Sequence, residues 1–106
     1  MKEQSVEDYL VERVEAVGGF APKTVWLGRR GCPDREVYWP WGDIDKVELK
    51  RPVDGRYEPG QEQAHKQLAR LYVPVYLLDT KGKVDIYLRE RLKRARPLQF
   101  CSVPFG

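Results

Sequence analysis

The order of predicted elements is helix, three short strands, helix, strand and a last helix, which gives a mixed α/β sheet flanked by helices. Three observations carry this reading. Apolar residues recur at helical spacing near the start of the chain. Three β-favouring segments follow, separated by turn residues. A nearly continuous apolar run, residues 73–79, then comes after a second amphipathic segment. A length of 106 residues fits one domain, with a core at about residues 5–90 and a basic C-terminal extension at 91–106.

Residues 3–17 are predicted helical because Val6, Leu10, Val14 and Val17 form a stripe that Val11 widens. Ser5 is placed to cap a helix that begins late, and Gly18-Gly19 stops it. Glu7 lies on the flank of the stripe. The first strand is predicted at residues 23–28, with Val25 and Leu27 alternating against Thr24 and Trp26. The turn Gly28-Arg29-Arg30-Gly31-Cys32-Pro33 leads to a second strand over residues 34–39, rich in Val37, Tyr38 and Trp39. Residues 40–43 reverse the chain as a hairpin loop. A third strand over residues 45–50 ends at Arg51-Pro52.

After a loop, a helix is predicted from Gly60 to about Tyr72, with Ala64, Leu68 and Leu71 on its apolar face and Gln61 on the same side. The run from Val73 to Asp79 has the pattern of a strand buried on both faces. Lys81-Gly82-Lys83 reads as a turn. In residues 84–95, Val84, Ile86 and Leu88 alternate like a strand, while Val84, Leu88 and Leu92 fit a helix. Length and the Glu/Arg/Leu/Lys content favour the helix.

Net charge is +3, compatible with nucleic acid but far from arguing for it alone. Acidic residues gather at positions 3–15 and basic ones at 81–96. The two ends could attract each other, and the basic end could lie along phosphates. By itself, a charge run is more often a solvated helix face. The two cysteines, Cys32 and Cys101, are too few for a disulfide framework and are read as reduced thiols in the cytoplasm. Two distant Cys and a single His exclude the usual zinc spacings. No apolar run reaches membrane-span length.

The chemistry concentrates at Glu48-Leu49-Lys50. In a strand, Glu48 and Lys50 share a face while Leu49 points the other way. Asp34, after Pro33, opens the preceding strand, and positions 34 and 48 are equidistant from position 41. A hairpin there brings the two carboxylates together. Carboxylates at close range repel, which favours a bound divalent cation, and hard oxygen ligands suit Mg2+, with Mn2+ able to substitute. Lys50 beside them could orient a water and stabilise phosphate charge, as in metal-assisted phosphodiester hydrolysis. Glu-x-Lys alone is weak. Asp79-Thr80-Lys81 has the same form but no second acid suitably placed before it, and reads as turn chemistry.

With Glu7 and Gln61 added, the run resembles the virus-type replication–repair nuclease (VRR-NUC) family of the PD-(D/E)xK nucleases. The matching stretches are Glu7 through Gly18-Gly19, Lys23, residues 28–35, residues 47–52, and Gln61 followed by His65 and Leu68. The resemblance covers about residues 5–90. It implies the restriction-endonuclease-like αβββαβ core. It also implies Asp34, Glu48 and the Leu49 backbone carbonyl as metal ligands, supported by Glu7, with Lys50 positioning water or phosphate and Gln61 near the centre. Lys23, Arg29, Arg30 and Arg51 would face the DNA backbone. Cys32 stands where an aliphatic residue is expected. His65 could serve as a general base, but a structural role is favoured for a histidine one turn past Gln61 in an amphipathic helix.

The expected activity is Mg2+-dependent endonucleolytic hydrolysis of branched DNA such as four-way junctions. It would be performed by a homodimer with no small-molecule cofactor, in the cytoplasm of a bacterial or phage-infected cell. The alternatives are a non-catalytic nucleic-acid-binding module of the same fold, or a flap or single-strand nuclease within a replication complex. Trp39 and Trp41 flank the hairpin loop. If exposed, they would serve dimer contact or base stacking.

Overall fold

The computed structural model describes residues 4–50 and 56–94. Arg51, Cys101 and most of the basic extension lie outside the described residues. The described elements are α1 (Val6–Ala16), β1 (Arg35–Tyr38), β2 (Ile44–Glu48), α2 (Gln61–Arg70), β3 (Val75–Leu77) and α3 (Lys81–Lys93). The sheet order is β1-β2-β3, with β1 antiparallel and β3 parallel to the central β2. This is the expected mixed α/β fold.

Helix α1 begins late, as Ser5 suggested: its hydroxyl accepts from the Asp8 N–H at 3.0 Å, satisfying one of the free donors of the first turn. Leu10 and Val14 are fully buried. They join Val37, Val47, Val84 and Leu88 in the core, on one face of the sheet. Helix α3 packs on this same side, where the Tyr9 hydroxyl donates to Asp85. Helix α2 meets the opposite face, since its Gln61 reaches Glu48 and alternate β2 side chains point oppositely.

The hairpin has the register read from the sequence, with Arg35 opposite Val47 and Tyr38 opposite Ile44. Four expectations are corrected. No strand forms over residues 23–28. Instead residues 20–24 run irregularly along β1, with bridges Phe20–Tyr38 and Lys23–Arg35. Pro22 has no N–H to donate, and only its carbonyl takes part, accepting from Glu36. The alternation is real: Val25 and Leu27 are exposed, while Thr24 and Trp26 are half-buried.

Second, β3 is an edge strand and not one buried on both faces. Val75 and Tyr76 are half-buried and Leu77 is exposed. Third, Lys81-Gly82-Lys83 is the first turn of α3 and not a loop. Thr80 caps it by accepting from the Lys83 N–H at 3.1 Å, and Lys83 pairs with Asp79 at 2.6 Å. Fourth, Leu71 falls beyond the end of α2 and is exposed. The segment read as a helix at residues 84–95 is helical, and the helix begins three residues earlier, at Lys81. Trp39 is buried and stacks on half-buried Trp41 with ring centroids 4.9 Å apart, so the condition for a base-stacking role at the hairpin is not met.

Candidate active site

Glu48 ends β2 and is fully buried, pointing at α2. Gln61, the first residue of α2, donates from Nε2 to Glu48 Oε2 at 2.9 Å. The Glu58 N–H donates to Gln61 Oε1 at 3.0 Å, which fixes the amide with its donor toward the acid. Nε2 of His65, one turn further along α2, stands 3.7 Å from the same Glu48 oxygen. Burial lowers the His65 pKa, which favours the neutral imidazole. Helical spacing puts Gln61 and His65 on one face, so the sequence holds the signal that brings His65 to Glu48.

Asp34 sits just before β1. Its Oδ2 accepts from the Leu49 N–H at 2.8 Å, extending the hairpin contact past the last strand pair. Glu48 Oε1 is buried and has no hydrogen-bond partner among the described residues. Burial, then the neighbouring Asp34 carboxylate, push the Glu48 carboxyl up to about 8. Once ionised, a buried acid with one satisfied oxygen and one open oxygen beside a second acid is costly without a cation.

Asp34, Leu49 and Lys50 line a cleft of about 260 Å³ together with Glu7, Lys23, Thr24, Val25, Cys32 and Pro33. Thr24 Oγ1 is a second buried oxygen without a partner among the described residues. Lys50 lies past the end of β2, in a bend, so it does not share the strand face of Glu48 as predicted. Its side chain is 69% exposed, with Nζ 4.0 Å from Glu58 Oε1, at the border of the cleft. Glu7 borders the cleft but is held by Arg35, at 2.9 Å from its Nε. Arg35 also donates to the Ala21 carbonyl at 2.6 Å. The Cys32 thiol points to the Thr24 carbonyl at 3.4 Å.

Among the described residues no three His, Cys, Asp or Glu side chains converge as a metal cage. The donor set that fits a hard divalent cation is smaller: Asp34, Glu48 with its open Oε1, and the Leu49 carbonyl as a backbone oxygen. A larger groove of about 380 Å³ lies between β3 and α3, but no predicted site residue lines it.

Arg29 and Arg30 are exposed on the turn that packs on α2. Arg29 donates to Gln67 and stands 5.8 Å above the Trp26 ring. Gly31 makes this packing possible. A Cβ there would lie 2.3 Å from the Gly60 backbone, and its φ is +86°, a conformation that favours glycine. The basic turn is thereby held against the N-terminus of the helix that carries Gln61.

No protein-family model matches the sequence. A phage protein named "Putative nuclease p44", from Acyrthosiphon pisum secondary endosymbiont phage 1, is 42% identical over 86 residues, covering 81% of this chain and 91% of its own. A solved structure described as a VRR_NUC domain matches with a TM-score of 0.70 at 32% identity, covering 79% of this chain and 90% of that one.

Proposed function

The chain belongs to the VRR-NUC family, and from that premise we propose that it is a Mg2+-dependent DNA endonuclease selective for branched DNA such as four-way junctions. The observation that carries the reading is the open Glu48 Oε1, buried beside Asp34 and backed by Gln61. An acid held this way is relieved by a proton or by a cation, and of the two only a cation serves phosphodiester hydrolysis.

Asp34, Glu48 and the Leu49 carbonyl would hold the metal, which when bound supplies Lewis acidity and a lowered pKa for a water. Gln61 fixes the rotamer of Glu48 by its donated hydrogen bond. Lys50, exposed at the rim, would place positive charge at the phosphate and orient the attacking water. Glu7 acts through Arg35, steadying β1 next to Asp34. Lys23, Arg29 and Arg30 supply cations for the flanking phosphates, and Arg51 is assigned the same part. A homodimer would provide two such clefts, as cutting both strands of a junction requires.

The test is incubation of the purified protein with labelled junction, flap and linear duplex, in magnesium, manganese or chelator. Junction cleavage that needs the metal is expected. Lys50→Ala should lower it by at least about a hundredfold, the scale of losing one transition-state charge contact, while junction binding survives. Light scattering should give twice the chain mass. Failure to cut any substrate in either metal sinks the enzyme reading, and preference for flap or linear DNA would remove the junction selectivity.

A further inference from the structure

A leucine exposed by itself needs no explanation, but residues 23–31 do not present one by itself. Exposure alternates along the segment: Lys23, Val25 and Leu27 are exposed, while Thr24 and Trp26 are half-buried, and Leu27 opens the turn to Gly28. Val25 is 75% and Leu27 93% exposed. Lys23 and Val25 line the same cleft as Asp34 and Lys50. Leu27 lies two residues beyond the cleft-lining Val25, and the exposed Arg29 and Arg30 follow after Gly28. The segment is fastened at its far end, by the Arg29–Gln67 hydrogen bond, by Arg29 over Trp26, and by Gly31 against Gly60. An apolar tip is thus held on a braced loop, flanked by cations, at the mouth of the cleft.

Resting on the nuclease reading above, we propose that Val25 and Leu27 form an apolar wedge that enters an opened base step of DNA whose backbone Lys23, Arg29 and Arg30 hold beside the cleft. The cations on both sides fit phosphates and not an apolar protein face, and continuity with the cleft places the opened step next to the scissile phosphate. Apolar wedges of this size unstack a step at a cost that is least where the stack is already broken. The wedge therefore favours DNA with an unpaired or branch-point step, and it gives the cleft its selectivity for structure over sequence.

The experiment uses a four-way junction with 2-aminopurine beside the branch point, bound by Lys50→Ala protein so that cleavage does not intervene. Fluorescence should rise on binding as the base unstacks. The rise should be lost in Lys50→Ala/Leu27→Ser and kept in Lys50→Ala/Leu27→Ile. The salt dependence of binding should be the same in all three, since no cation is removed. With Lys50 intact, Leu27→Ser should lower the ratio of junction to linear cleavage by roughly tenfold, the scale of one lost apolar contact. A fluorescence rise that ignores Leu27→Ser, or no rise with bound junction, overturns the wedge. So does a halved particle mass for Leu27→Ser, which would make the row a contact between copies. Cleavage by the unaltered protein without a fluorescence response defeats the wedge alone. Absence of both cleavage and DNA binding defeats the nuclease reading with it.

Discussion

Glu48 is the residue on which most of the chemistry turns, and its protonation gives a measurable handle. Its carboxyl is pushed from 4.5 up to about 8, first by burial and then by Asp34. Below about 4.5 the folded and unfolded chains both carry the proton, and between about 4.5 and about 8 only the folded chain does. The folded state then binds more protons, so stability falls as pH rises through this window. In chelator, the melting temperature should drop across that interval. Magnesium should restore it most at the alkaline end, where the cation no longer competes with a proton. Glu48→Gln should flatten the profile and abolish cleavage. Thermal melts at several pH values, with and without magnesium, decide it: a Glu48→Gln profile as steep as the parent's would put the dependence elsewhere.

At the scale of elements, the site depends on how closely the basic turn approaches α2, and Gly31 sets that distance. Alanine there would need a Cβ 2.3 Å from the Gly60 backbone and a positive φ, whereas Gly42 shares the positive φ but has nothing within 4 Å of its Cβ. The conformational cost is common to both, about 1–2 kcal/mol. Gly31→Ala should therefore lose clearly more stability than Gly42→Ala in urea denaturation, and should also slow cleavage by displacing Gln61. Equal losses would mean the approach is not a tight one. The sequence made part of this legible. Positions 34 and 48, equidistant from 41, yielded the hairpin register, because side-chain alternation and a short turn leave few options. The spacing from Gln61 to Ala64 and Leu68 put Gln61 on the buried side of its helix. Alternation at residues 23–28 shows that two sides differ but not that the segment pairs as a strand: Lys23 bridges Arg35, and beyond it Val25 and Leu27 are exposed while Trp26 is half-buried. β3 was misread because an apolar run does not reveal which strands neighbour it. The packing of Gly31 on Gly60 joins segments almost thirty residues apart, and no local pattern encodes that.

Across the whole molecule, the two faces of β2 divide the work between two buried carboxylates. Asp45 and Glu48 are an odd number of positions apart, so they enter opposite layers. On the α1/α3 side, Asp45 Oδ2 accepts from Trp39 Nε1 at 2.9 Å and from the Tyr87 hydroxyl, and lies 2.9 Å from Arg91 Nε. Arg91 also reaches Asp43, which accepts from the Trp41 indole. These contacts fasten α3 to the hairpin turn, and Arg91 supplies the positive charge that Asp45 needs, without a metal ion. Burial and the Asp45 contact raise the Tyr87 pKa, so the hydroxyl stays a donor throughout the working pH range. On the α2 side, Glu48 keeps one oxygen open. Tyr87→Phe should then cost about 1–2 kcal/mol, the penalty for a buried acceptor losing its donor, and leave single-turnover cleavage unchanged at temperatures where the variant is folded. Glu48→Gln should do the reverse, gaining metal-free stability at alkaline pH while cleavage is lost. Urea denaturation and single-turnover rates on the same two variants separate the roles. A Tyr87→Phe protein that is fully folded yet slow to cut would show that the two layers are coupled through β2, with α3 helping to hold Glu48 in place.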